Sequence, residues 1–266
     1  MLQPGVVAIA EETSPVDRKA LLIGCPGKRG ADNYLEGVER DLTNYDRFLR
    51  SPLGGAWFSS EIVALDDPPA STARAAIQTL KPADYSFVLF SGHGYVTSDG
   101  RSTMVCLRGD DEMNSNELRV GSAKHTLILD CCRVIERPSR KLAEDTLAKM
   151  DAAAARKLTR DECRKYFNRA VSECPSGLVV LHSCAVDETA GDDSGRGGYY
   201  SYSLIEVAED WLESNSTDLS KQYAALRMPR AHEQAKVVVQ RLSGNRQNPQ
   251  IEKPRSEPYF PFAIVA

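Results

Sequence analysis

Tyr85-Ser86-Phe87-Val88-Leu89-Phe90-Ser91-Gly92-His93-Gly94 is an apolar run of strand length that ends in a Gly-His-Gly turn. His125-Thr126-Leu127-Ile128-Leu129-Asp130-Cys131-Cys132-Arg133 repeats the design with two cysteines at its end. Both runs have the length and the β-branched and aromatic content of fully buried strands. In an open parallel sheet, residues just beyond the carboxyl ends of the strands point into a shared crevice. The pattern therefore predicts His93 and Cys132 as spatial neighbours, although 39 positions separate them (132 minus 93).

Outward from these two runs, strand-like segments occur at 20–24, 61–65, 177–182 and 260–265, so that six are expected with 85–90 and 126–129. Helical patterns lie between them. Val38, Leu42, Tyr45 and Leu49 share one face, and so do Ala73, Ile77 and Leu80. Leu204, Val207, Ala208, Trp211 and Leu212 form a third stripe; Ala235, Val238, Val239 and Leu242 form a fourth. Strand and helix in alternation predict an α/β fold, a mostly parallel six-stranded sheet with helices on both faces.

The chain has 266 residues, 42% of them hydrophobic, enough to bury one sizeable core, so a single domain is expected. A formal charge of -4 and the absence of a basic stripe interleaved with aromatics argue against nucleic acid as a partner. No apolar run reaches the ~18 residues of a membrane span. Residues 1–15 lack the features of a secretory signal, with Glu11 and Glu12 following a short apolar stretch. Seven cysteines without paired spacing fit a reducing compartment, and a cytoplasmic location is expected.

Cysteine and histidine at adjacent strand ends are the parts of a nucleophilic catalyst. A free thiol, with a pKa of roughly 8.5, is mostly protonated at neutral pH and attacks an amide poorly. An adjacent imidazole favours the thiolate and later protonates the leaving amine. Gly94 leaves its N–H uncovered, and with the N–H of Cys132 it is a candidate oxyanion hole. His125, His182 and His232 have no cysteine or carboxylate spacing suited to zinc, and no C-x-x-C occurs, so these histidines read as packing or surface residues.

In these motifs the sequence resembles the caspase and metacaspase clan of cysteine peptidases, whose signature carries the catalytic cysteine at its third position with the histidine roughly 50 residues upstream. Asp130-Cys131-Cys132 fills those three positions, and the Asp-x-Cys form is similar to metacaspases, where caspases have Gln in place of the Asp. The resemblance makes Cys132 the nucleophile, Cys131 its bystander and His93 the general base and acid. It extends to Lys19-Ala20-Leu21-Leu22-Ile23-Gly24 as first strand and to Leu35-Glu36-Gly37-Val38-Glu39-Arg40-Asp41, which resembles the segment opening the first helix. Leu181-His182-Ser183-Cys184-Ala185-Val186-Asp187-Glu188-Thr189-Ala190 is similar to a family strand and loop, with Glu188 where Gln is usual. It implies a caspase-like sandwich, with a large subregion at 18–136, a linker or helical insertion at 137–175 and a small subregion at 176–266.

Metacaspases cut after Arg or Lys by means of acidic pocket residues. Carried over position by position, the resemblance assigns the cation-binding role to Asp41, Ser91 and Asp130, with Arg favoured before the scissile bond and Lys second. Val38 stands where the family has a cysteine, a difference in pocket shape. Asp187, Glu188, Asp192 and Asp193 form an acidic loop, of which Asp187 and Glu188 are taken as groove-lining.

The stretch 137–169 carries ten Lys or Arg and matches the region where activating cleavage occurs in this clan; its apolar Leu147, Met150, Ala154 and Leu158 also fit an amphipathic helix, and both readings can hold. Many metacaspases use Ca²⁺. Asp110, Asp111 and Glu112 form an oxygen-rich cluster, but Ser102 and Thr103 stand where the family places an aspartate, so no metal or other cofactor is expected. The expected partners are protein substrates bearing Arg or Lys and an upstream activating protease, with the chain itself a monomer. Bacterial members of the clan are tied to regulated cell death and antiphage defence. The alternatives are a catalytically silent caspase-like scaffold, against which the intact Cys and His argue, and a caspase-type enzyme cutting after Asp, which would need a basic pocket.

Overall fold

A computed structural model describes residues 16–135, 158–214 and 225–265. In chain order the elements begin with β1 (Arg18–Cys25), α1 (Gly37–Arg50), β2 (Ile62–Asp66), α2 (Ala70–Gln78) and β3 (Tyr85–Gly92). There follow β4 (Gly94–Val96), β5 (Thr103–Cys106), β6 (Glu112–Asn114), α3 (Ser115–Leu118), β7 (Lys124–Asp130) and α4 (Arg160–Ser172). The last part comprises β8 (Gly177–His182), β9 (Asp192–Asp193), β10 (Gly197–Gly198), α5 (Tyr199–Ser214), β11 (Ala225–Arg227), α6 (Met228–Leu242), β12 (Gln250–Glu252) and β13 (Pro261–Ile264).

The central sheet has six strands in the order β12-β8-β7-β3-β1-β2. All neighbours are parallel except β12, which runs antiparallel to β8 at the edge. Strand alternation sorts the core into two layers. Ala20, Leu22, Phe87, Leu89 and Ile128 face α1, α4, α5 and α6, where Tyr45, Trp57, Phe167 and Tyr200 are buried. Leu21, Ile23, Val88, Phe90, Leu127 and Leu129 face α2, α3 and the small sheet β4-β5-β6, against Ile77, Val105 and Met113. Among the described residues no helix is long and apolar enough to cross a membrane.

One expectation needs correction. The apolar segment 260–265 is a strand, but β13 pairs with β11 in a separate ribbon, and the sixth strand of the main sheet is β12. An apolar run reads alike whichever sheet it joins, whereas Gln250-Ile251-Glu252 is short and largely exposed, as edge strands are. The basic stretch 137–169 divides in two. Its six cations from Arg137 to Lys157, and Leu147, Met150 and Ala154 of the apolar stripe, lie outside the described residues; Leu158 is buried.

Its remaining four cations belong to α4, which starts at a capping box between Thr159 and Glu162 and packs into the core through Phe167. Arg160 donates to the carbonyls of Arg50 and Trp57. Arg164 grips Glu61 with two bonds of 2.8 and 2.6 Å. Glu61 also faces Arg18 at 3.6 Å, and the Arg18 guanidinium is fully buried over the Trp57 ring at 4.4 Å. Glu61→Ala would leave a buried cation without its counter-charge. We expect a loss of about 3 kcal/mol, read as a lower urea midpoint; an unchanged midpoint would refute the pairing.

Candidate active site

The register of the sheet sets the site. Ser91 of β3 lies beside Asp130 of β7, and His93 and Cys132 each stand two residues beyond that pair. By alternation Ser91 and Asp130 face the layer that holds α1 and α5, as Leu89 and Ile128 do. Phe90, Leu129 and Cys131 face the other way.

This parity separates the two cysteines. Cys131 is buried, its N–H donates to Ser183 Oγ at 3.2 Å, and a Cβ on Gly94 would fall 2.8 Å from its sulfur. Cys132 is only partly covered. Its sulfur accepts the Ala190 N–H at 3.3 Å, and burial pushes its thiol pKa up. An unassisted Cys132 is therefore a thiol, and thiolate formation needs a base beside it.

His93 Nε2 lies 2.7 Å from the main-chain carbonyl of Asn33. A carbonyl only accepts, so Nε2 carries the proton and Nδ1 is the basic nitrogen of the neutral ring. Gly27, at φ +89°, lets the 26–36 loop close on the ring; a Cβ there would come within 3.1 Å of Nε2. Asn33 escaped the sequence reading because the functional atom is a backbone oxygen, which any residue supplies.

Gly94 lies in β4 opposite Val105. Its neighbour His93 accepts the Cys106 N–H on the β5 side, whereas the Val96 N–H donates to Val134 O on the opposite edge at 2.8 Å. Amides two apart on a strand point the same way, so the Gly94 N–H faces the segment that follows Cys132.

Asp41 and Asp130 meet at the layer between α1, α5 and the sheet, 1% and 4% exposed. Asp41 accepts the Ser91 hydroxyl at 2.5 Å and the Gly198 N–H at 3.0 and 3.2 Å. Asp130 accepts the Ser201 N–H at 2.9 Å. Burial raises the pKa of both, and for Asp41 the nearby charge of Asp130 adds to the rise. Glycine is required on the wall: a Cβ on Gly198 would sit 2.4 Å from Asp130 Oδ2, and one on Gly197 would sit 2.1 Å from Asp41 Oδ1.

The acidic loop contributes differently from expectation. Glu188 accepts from Ala185 N, Asn248 N and Asn248 Nδ2 at 3.0, 2.7 and 2.6 Å, so its carboxylate fixes the loop rather than lining a groove. Asp187 is exposed, at φ 68°. Asp192 is the member that turns inward: it accepts the Gly37 N–H at 3.1 Å, and its charge acts on both Asp41 and Cys132. Glycines beside it signal a tight hairpin, but only the fold shows which of the four carboxylates faces in.

The remaining polar candidates are structural. His125 bridges Ser86 Oγ at 2.7 Å and Leu118 O at 3.0 Å, His182 meets Glu252 at 2.9 Å, and His232 meets the Tyr200 hydroxyl at 2.7 Å. Asp111 accepts the first N–H of α2, and Glu112 accepts the Tyr95 hydroxyl, so these two carboxylates of the 110–112 cluster serve separate elements.

A family model described as a caspase domain of the C14 peptidases matches residues 17–260. The chain belongs to the caspase-domain family. A Geobacter sulfurreducens protein of known crystal structure is similar with a TM-score of 0.59 at 14% identity, covering 94% of this chain and 100% of that one. Caspase-1 from Spodoptera frugiperda is similar with a TM-score of 0.53 at 13% identity, covering 89% of this chain and 88% of that one. At these identities the two structures speak for the fold. No curated protein matches.

Proposed function

We propose that this caspase-domain protein is a metacaspase-type cysteine endopeptidase that cleaves proteins after Arg, and second after Lys. The observation that carries the reading is the convergence of Asp41, Asp130 and Asp192 beside Cys132. Carboxylates held in low dielectric without a cation are costly, and a substrate guanidinium would supply one through charge-assisted bonds. A pocket for an aspartate side chain would need the opposite charge.

In the proposed reaction His93 Nδ1 takes the Cys132 proton while Nε2–H stays on Asn33 O. The thiolate attacks the carbonyl carbon of the basic residue itself. The oxyanion is received by the N–H groups of Gly94 and Cys132, each donor contributing roughly 3 kcal/mol. The imidazolium then protonates the leaving amine as the C–N bond breaks, leaving a thioester. A water molecule, deprotonated by the same imidazole, attacks the thioester and restores the thiol.

The test is a panel of fluorogenic peptides identical except for Arg, Lys, Asp or Ala before the cut, assayed with and without Ca²⁺. Cleavage after Arg, with Lys second, is expected; cleavage after Asp alone would overturn the pocket, and no cleavage at all would favour a silent scaffold. We further propose that cleavage among the basic residues between Arg137 and Lys157 activates the enzyme. Incubated protein should then yield two fragments that co-elute, because α4 on the later fragment is anchored to Glu61 and Trp57 on the earlier one. The Cys132→Ala protein should stay whole. Full peptidase activity from an intact chain would exclude that activation step.

A further inference from the structure

Gln247 is fully buried in the segment between α6 and β12, and the proposed reaction makes no use of it. Its carboxamide joins the two ends of the loop that runs from β8 toward β9. Nε2 donates to Ser183 O at 2.9 Å, and Oε1 accepts the Gly191 N–H at 2.9 Å. Only one orientation of the amide satisfies both partners. The Gln247 N–H is held in turn by Ser243 Oγ at 3.1 Å. Both loop ends lead to the nucleophile. Ser183 Oγ accepts the Cys131 N–H and donates to the Cys131 carbonyl, each at 3.2 Å. Ala190, the residue before Gly191, gives its N–H to Cys132 Sγ at 3.3 Å. Gln247 thus closes a ring of bonds that starts at the main chain of Cys131 and ends at the sulfur of Cys132. A buried carboxamide is costly unless both its ends are bonded, and an apolar side chain would fill the place without that demand.

We infer that Gln247 is a positioning residue for the nucleophile: it holds the Ala190 N–H against the Cys132 sulfur and thereby favours the thiolate. This rests on Cys132 acting as the nucleophile of the proposed peptidase. A hydrogen bond donated to an ionisable group favours its anionic form, and the thiolate is the form that attacks. Burial and the charges of Asp130, Asp192 and Cys106 all disfavour the Cys132 thiolate, and the Ala190 N–H acts against them. Cys131 and Cys184 stand close by, with His93 just beyond the neighbouring strand end. The contact that would instead retain the thiol proton is Ala190 O, and it lies 3.9 Å from the sulfur, against 3.3 Å for the N–H. One peptide plane carries both that oxygen and the Gly191 N–H, so the bond to Gln247 keeps the oxygen back while the donor stays in place.

The experiment follows the pH dependence of iodoacetamide alkylation at Cys132, located by peptide mass, in the wild type and in Gln247→Met, which keeps the side-chain length and removes both bonds. The titration midpoint should move up, so that the rate at neutral pH falls at least about threefold while the limiting rate at high pH stays within about twofold. A Gln247 with a packing role only would give the opposite sign. A loosened loop uncovers the sulfur and relieves its burial, so the midpoint would move down and alkylation would quicken at every pH. That result, or an unmoved midpoint, would overturn the inference. If Gln247→Met does not fold, Gln247→Asn decides: it keeps the amide but is one methylene too short to reach both Ser183 and Gly191, and the same upward move is expected. A wild type that cleaves no peptide would overturn the proposed peptidase and not the role of Gln247, because the titration needs no substrate.

Discussion

Cys132→Ala is expected to lower kcat for an Arg peptide by at least about 10⁴-fold, while Cys131→Ala keeps most of the activity. Removing the nucleophile of a catalytic unit costs up to roughly 10⁶-fold in enzymes of comparable logic. Cys131 has no route to the substrate: it points into the layer of Leu127 and Leu129, and its main chain is tied to Ser183. Its truncation removes one buried sulfur, a packing loss read as a lower melting temperature rather than lost turnover. His93→Ala should match Cys132→Ala, and the double variant should be no worse than either, since the two residues act as one unit. Single-turnover rates check this. Activity surviving in Cys132→Ala but not in Cys131→Ala would remove the assignment.

Asp41→Asn should move activity and stability in opposite directions. Losing one buried charge partner of the guanidinium costs about 2 to 5 kcal/mol, so kcat/KM after Arg should fall by at least about 30-fold, while alkylation of Cys132 by a small reagent barely changes. The stability change follows from linkage. Burial, then Asp130, raise the Asp41 pKa in the folded state, so above the ordinary carboxylate value of about 3.9 the folded chain binds more protons than the unfolded one. Stability then falls as pH rises through that window. Asparagine has no charge to bury and can still pair with Ser91 and Gly198. The variant should melt a few degrees above the wild type at neutral pH, 1 kcal/mol being roughly 2–4 °C for a chain of this size, with the gap closing below about pH 4. A variant that melts lower at every pH, or that still prefers Arg, contradicts the pocket.

The alternation of the two apolar runs carries most of the sheet. Side chains on a strand change face at every residue, so apolar positions up to Phe90 and Leu129 fix which way Ser91 and Asp130 point, and which of two adjacent cysteines is left partly exposed. Helix α1 was equally legible, because Val38, Tyr45 and Leu49 repeat at helical spacing and are buried as that spacing requires. The sixth strand was not. Three residues with polar ends carry no pattern, and β12 exists because β8 offers an open edge.

Asn33 and Asp192 show the other limit. The Asn33 carbonyl has no side-chain signature, and its place on His93 depends on how the 26–36 loop closes over Gly27. Glu188 and Asp192 are alike in charge and four residues apart in one loop; the bonds from Asn248 claim the first, and the hairpin at Gly197 and Gly198 turns the second toward Asp41. The sequence by itself determined what local periodicity can encode: strand faces, helix stripes and the placing of a histidine and a cysteine just beyond the ends of two neighbouring strands. Contacts between residues more than 150 positions apart, such as Asp41 with Gly198, were decided by the tertiary structure alone, because they depend on backbone positions that no single segment specifies.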